Sequence, residues 1–556
     1  MGAEEANPDP DEYPPTYFAH PEHRGVIYTH ITLMTLAWVL MLPVCVMLSI
    51  ARSRYTLASQ FVFLVTNAIG VVFSTIYNAS TPDLYPNNAH HKLGWLVTWV
   101  VSAQVVVGLL ARVVGAFASG GKLSSGDDRR GFIPVSTEAM AEHQRWNDPR
   151  FSEQYRTSND SGQGTEPNTE SLRSHSLSSN GDEVSIPLHD ARKEYGDDDE
   201  DDLEVLPALP HSAGKIHSIA AKVAGKISER VWKVLIFAYN FVDRTILILG
   251  FITFCTGIIA FGRFFEGRAV FTGLAHWIKG GIFFWLGLLT LGRWAGSFGD
   301  LGWAWNIKPR SARRRWTPSS EFVESALIFV YGSTNIFMEH LSNPGGEWSP
   351  QDMEHISITV LFIGGGLCGM LIESVRVRDL LNTTVTEAAQ SLPEHAYDAE
   401  ERNSLQEPEA YSFSMNPIPA LVILLLGVMM GSHTQATMIS SMVHKQWGNL
   451  LAGASFARGL TYLITYLKPP RSVLPSRPPT ELLTSFGLIA GGIMFMASSG
   501  DTVQGMIHYD LDAMFMYTVV LGFVGLIMAW EIIVLALKGW AVRKEAGRPA
   551  GSHGMA

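Results

Sequence analysis

Apolar runs of about 18 to 25 residues, closed at both ends by polar or charged clusters, recur along most of the chain. Their length is the signal, because about 20 helical residues cross the roughly 30 Å hydrocarbon core of a bilayer. The pattern predicts eleven spans, over about 29 to 50, 58 to 77, 93 to 116, 241 to 262, 269 to 292, 322 to 340, 356 to 374, 417 to 438, 449 to 467, 482 to 499 and 513 to 537. The expected fold class is all-α, a polytopic transmembrane helical bundle.

Two polar inserts interrupt the series. Residues 119–230 are rich in Ser, Asn, Gly, Asp and Glu, and the run from Asp197 to Asp202 is broken only by Glu200. Such a segment buries too little apolar surface to offset its ordering entropy, so a disordered linker is expected. Its end places Lys215, Lys222 and Lys226 among Ile216, Ile219, Val223 and Ile227. That spacing suits either a helix resting on an anionic leaflet or a plain lead-in to span four. The second insert, residues 379–415, is shorter. The domains expected are a tail at 1–27, a three-span unit at 28–118, the linker at 119–230, an eight-span unit at 231–540 and a tail at 541–556.

Basic residues cluster after the odd-numbered spans: Arg52 and Arg54, Lys122 with Arg129, Arg313-Arg314-Arg315, Arg376 with Arg378, Lys468 with Arg471, and Arg543-Lys544. Positive flanks are retained in the cytoplasm. The inserts and the C-terminus are therefore expected in the cytoplasm, and the N-terminus in a lumen or outside the cell, in an endomembrane or the plasma membrane. Met1 to Arg24 is acidic and Pro-rich with no apolar core, so insertion is expected to fall to the first span.

Composition agrees: among 556 residues, 47% are hydrophobic, with 15 Trp, 28 Phe and 51 Gly. Mean hydropathy is only +0.13 because the inserts dilute it. The net charge of −11 comes largely from the tails and linker, so it says nothing about nucleic acid; the partner expected from the apolar runs is a lipid bilayer, with no nucleic acid. Cys45, Cys255 and Cys368 all sit in apolar runs and read as small buried core residues. Gly364-Gly365-Gly366 with Gly369, and Gly491-Gly492, read as close helix contacts rather than phosphate loops.

The chemistry-bearing residues are histidines, and the charge-based topology puts most of them near the non-cytoplasmic face. His30 and His90-His91 open spans one and three, and His276 lies about two turns into span five. Glu339-His340 closes span six, His355 opens span seven and His433 lies late in span eight, with His444 and His508 in outer loops. Neutral imidazole is the commonest metal ligand, and ionisable groups inside spans are rare unless functional. Lys279, one turn below His276, and Arg458 in span nine raise the same question. If the outer histidines form one site, His276 approaches His30 and His90, and Lys279 places a cation beside it.

The sequence His30-Ile-Thr-Leu33-Met34, followed by Trp38, Pro43 and Arg52, resembles the first haem-ligating helix of the cytochrome b561 family, with Ile31 in place of that family's glycine. His90-His-Lys-Leu93-Gly94 with Gln104 resembles the partner helix. The resemblance implies one haem b with His30 and His90 as axial ligands, serving electron transfer between a donor and an acceptor; Lys279, read separately, could bind an anion, serve a proton relay or hold a haem propionate. Span two holds no histidine, and His276-Trp-Ile-Lys279-Gly280 follows an extra span, so a second haem in that family's arrangement is not implied. Over residues 28 to about 540 the chain also resembles a fungal family of YTP-type multi-pass membrane proteins, through Thr81 to His91, Gly302 to Asn306, Glu339-His340-Leu341, Gly364 to Gly366, and Pro475 to Glu481. Three functions stay open: a haem-dependent oxidoreductase, a transporter or metal-handling protein binding a transition metal through His91, His276, Glu339, His340, His355 and His433, and a non-catalytic structural or sorting protein.

Overall fold

The computed structural model describes residues 13–120, 229–267, 269–309, 317–335, 348, 350–389, 407–433 and 435–546. Within these the chain is helical: α1 Arg24–Ile50, α2 Thr56–Ser80, α3 Ala89–Gly120, α4 Glu229–Gly262, α5 Ala269–Ala295, α6 Ser320–Asn335, α7 Pro350–Glu373, α8 Val375–Ala389, α9 Ile418–Ser432, α10 Met438–Leu467, α11 Pro479–Ala497, α12 Gly500–His508 and α13 Ala513–Ala546. Nine of them are long and apolar enough to cross a membrane, and α6 and α9 are shorter helices inside two more of the predicted spans. The linker lies outside the described residues for nearly all its length. Residues 1–108 and 236–547 form one unit, and residues 109–235 with 548–555 a second, of which only the ends of α3 and α4 are described.

The first unit wears its apolar side chains outward. On α2, Phe61, Val62, Val65, Ile69, Val72 and Ile76 recur at helical spacing and are all exposed, Phe61 by 63%. Polar groups such as Asn67, Gln104, Asp243, Arg293 and Glu481 are buried instead. That inversion is what hydrocarbon solvent demands.

Helix α1 carries a π segment, Thr35–Met41, just before Pro43. Proline has no N–H for the carbonyl of Val39, four residues back. The indole N–H of Trp530 on α13 donates to that carbonyl at 3.1 Å. Deeper in α1, Trp38 donates to Asn67 Oδ1 at 2.8 Å, and Asn67 donates to Thr98 at 3.3 Å, joining α1, α2 and α3. At the basic end Asp243 of α4 accepts from Ser49 and from Gln104, both at 2.6 Å.

From α5 onward the helices approach more closely. A Cβ on Gly492 would stand 2.5 Å from the backbone nitrogen of Phe284, and one on Gly366 would stand 2.5 Å from that of Phe329. Only glycine allows α11 to meet α5, and α7 to meet α6, at that separation. These glycines are helix contacts, as expected. Cysteine burial differs from expectation: Cys45 is buried, Cys255 is half-buried and Cys368 is exposed on α7.

Candidate functional site

The histidine end is built by pairing. His30, in the second turn of α1, is buried, and its Nδ1–H donates to the carbonyl of Gly70 on α2 at 2.9 Å. His90, at the start of α3, donates its Nδ1–H to the carbonyl of Thr253 on α4 at 3.2 Å, with Thr256 Oγ1 at 3.4 Å. The ring centroids are 6.5 Å apart at 73°. A carbonyl only accepts, so both Nδ1 atoms carry the proton and both Nε2 atoms carry a lone pair. Gly257 makes room for the second ring, since a Cβ there would lie 3.0 Å from His90 Cε1. A cavity of about 150 Å³ next to it is lined by Ala89, Thr256, Ala260 and Tyr85 among others. Tyr85 donates to the carbonyl of Phe264 at 2.7 Å, and burial pushes its hydroxyl pKa up, keeping it a donor.

His276 does not join this pair as a third ring. It packs on His444 of α10, centroids 6.0 Å apart, and on Phe495 of α11. The expectation of one outer site therefore gives way to separate pairs. His444 lies on α10, capped at Thr437, with 3% of its surface exposed, and not in a loop. His276 and His444 bond carbonyls of their own helices, Thr272 and Ser440, both at 2.8 Å. His355 and His433 form a third pair at 6.2 Å, and His433 meets Glu354 at 2.7 Å. Lys279 is half-buried one turn along from His276. His91 is exposed, and Glu339 and His340 lie outside the described residues. Among the described residues no group of three His, Cys, Asp or Glu is arranged to hold a metal ion.

The opposite, basic end holds a constellation that the sequence pattern had not assembled. Arg293 of α5 contacts Glu321 at 3.3 Å and Glu324 at 3.0 Å, both on α6. Arg458 of α10 contacts Glu481 of α11 at 2.8 Å and Glu324 at 3.5 Å, and donates to Thr290 at 3.1 Å. Both guanidiniums lie over the ring of Trp305, at 4.3 and 5.9 Å. The loop bearing Trp305 is held by Asn306, which donates to the carbonyls of Gly299 and Val473, both at 2.8 Å. The intramembrane charge of Arg458 is thus paired. Its partners look like ordinary end-of-span charges in sequence, and the one available signal is that acids and bases share one end of four spans.

Apolar helices with lipid-facing surfaces and buried polar clusters define a multi-pass integral membrane protein. The chain belongs to the YTP1-like family: the model described as "Protein YTP1-like, C-terminal" matches residues 249–539. A domain of unknown function, DUF2427, matches residues 11–114. The uncharacterized membrane protein C3B8.06 of Schizosaccharomyces pombe is 33% identical over 523 residues, 93% of this chain and 94% of that protein. The uncharacterized membrane protein YCR061W of Saccharomyces cerevisiae is 38% identical over 386 residues, 64% of this chain and 57% of that protein. Protein YTP1 of the same yeast is 22% identical over 226 residues, 41% of this chain and 40% of that protein. No solved structure matches the chain.

Proposed function

We propose that His30 and His90 hold one b-type haem and that the protein carries electrons at the non-cytoplasmic side of its membrane. The observation behind this reading is the pair itself: two rings 6.5 Å apart, each with its Nδ1–H tied to a main-chain carbonyl of another helix. A bare transition metal wants three or four protein ligands, whereas haem iron, already held by its porphyrin, would need only two, which His30 and His90 could supply. The donor set therefore fits haem better than a free ion. Carbonyl partners on the far nitrogens fix the tautomer and ring orientation and raise ligand basicity. When bound, the haem would supply one-electron chemistry. The chain's own part is to present both imidazoles and keep the site in apolar surroundings, which tunes the potential. The basic flanks support an orientation with the histidine end away from the cytoplasm.

The test is the visible spectrum of the full-length protein purified from haem-supplemented cells. A Soret band that His30→Ala and His90→Ala each abolish is expected. A featureless spectrum, or one that both variants leave unchanged, overturns the reading.

A further inference from the structure

Among the described residues the ion cluster at the basic end does not balance. Three carboxylates, Glu321, Glu324 and Glu481, face two guanidiniums, Arg293 and Arg458, and every member is buried, Glu481 completely. With all five ionised, one negative charge would remain in an apolar bundle, where an uncompensated ion costs several kcal/mol.

The contacts distinguish the three acids. Glu321 meets Arg293 and accepts from Ser320 at 2.6 Å, while Glu481 sits 2.8 Å from Arg458 Nε. Glu481 thus has Arg458 close by, and Glu321 is met by Arg293 and Ser320 together. Glu324 is left between the two arginines, 3.0 Å from one and a long 3.5 Å from the other. It also lines a cavity of about 10 Å³ with Arg458, Ser455 and Thr484, which is room for about one water. Ser455 is 7% exposed and its Oγ has no hydrogen-bond partner among the described residues. A buried hydroxyl without a partner at a water-sized cavity marks a place for a small polar guest.

We propose that Glu324 carries one exchangeable proton, passed through a water in this cavity, so that the cluster is a proton-binding site inside the membrane domain. The step is a simple ionisation: the Glu324 carboxyl O–H breaks, the electron pair stays on oxygen, and the proton moves to the cavity water and on to solvent. Other titratable groups stand on the helices packed around the cluster. Tyr462 lies on α10, Glu373 of α7 bonds Ser319 and Ser414, and Glu531 of α13 stands 3.4 Å from a Cβ built on Gly292. α9 contributes Ala420 and Ile423 to the cavity wall, and both are apolar.

Infrared spectroscopy of the full-length protein in lipid nanodiscs, titrated with pH, reads this proton directly. A buried protonated-carboxyl band is expected near neutral pH, and Glu324→Gln should remove part of it while the melting temperature stays within about 2 °C. Glu321→Gln and Glu481→Gln each remove a carboxylate that an arginine contacts and should melt about 6 °C lower or more, and because each leaves two acids facing two arginines, the band should disappear at a lower pH than in the wild type. A wild-type protein with no such band, or a band that Glu324→Gln leaves whole, overturns the proposal. Displacement of the band by sodium ions would also overturn it, in favour of a monovalent-cation site. Should Glu324→Gln fail to fold, Glu324→Asp decides, since a shorter acid must shift the band if Glu324 is its source.

Discussion

The helices α1 to α4 and the helices from α5 onward solve the same problem, polar groups in hydrocarbon, in different ways. The first group uses neutral donors and one carboxyl: Trp38 to Asn67, Asn67 to Thr98, and Ser49 with Gln104 on Asp243. The second uses formal charges of both signs under an indole lid. A neutral hydrogen bond contributes about 0.5–1.5 kcal/mol net, whereas an orphaned buried ion costs several times that. The second group should therefore be the more brittle of the two.

The largest effect is expected for Arg458→Met, which strands Glu481 and should cost about 3–5 kcal/mol. Thermal unfolding in detergent measures it, and a near-neutral result would show that the charges are not mutually dependent. Next comes Gly492→Val. Its Cβ would collide with the backbone of α5, costing about 1–3 kcal/mol or more if α11 cannot shift. The same substitution at Gly94, where a Cβ meets nothing within 4 Å, should be nearly silent.

In the first group Asp243→Ala removes the acceptor of Ser49 and Gln104, for about 1–3 kcal/mol, and Asp243→Asn should recover much of it. Trp530→Phe should cost least, about 1 kcal/mol, by leaving the Val39 carbonyl without its indole donor. If Asp243→Ala proved as damaging as Arg458→Met, the contrast between the two groups would fail.

The same contrast explains what could be read in advance. The apolar runs give the helices because length and composition alone decide them. His30 and His90 could be matched because both open spans that start at the same end. His444 was misplaced because the polar stretch Ser440-Ser441 to Asn449 reads as a loop, although His444, Trp447 and Leu451 repeat at helical spacing behind the Thr437 cap. Arg293, Glu321, Glu324 and Glu481 sit within a turn or two of span ends, where charges commonly face lipid headgroups. Only the tertiary packing of α5, α6, α10 and α11 turns them inward onto one another, and no periodicity in one helix contains that.

Haem stoichiometry bears most directly on the central claim. Extraction and quantification of haem from the purified full-length protein, with electron paramagnetic resonance of the oxidised form, is the decisive measurement. One low-spin bis-imidazole haem per chain, absent from the His30→Ala, His90→Ala double variant, is the predicted result. No bound haem, or haem that persists in the double variant, would contradict it.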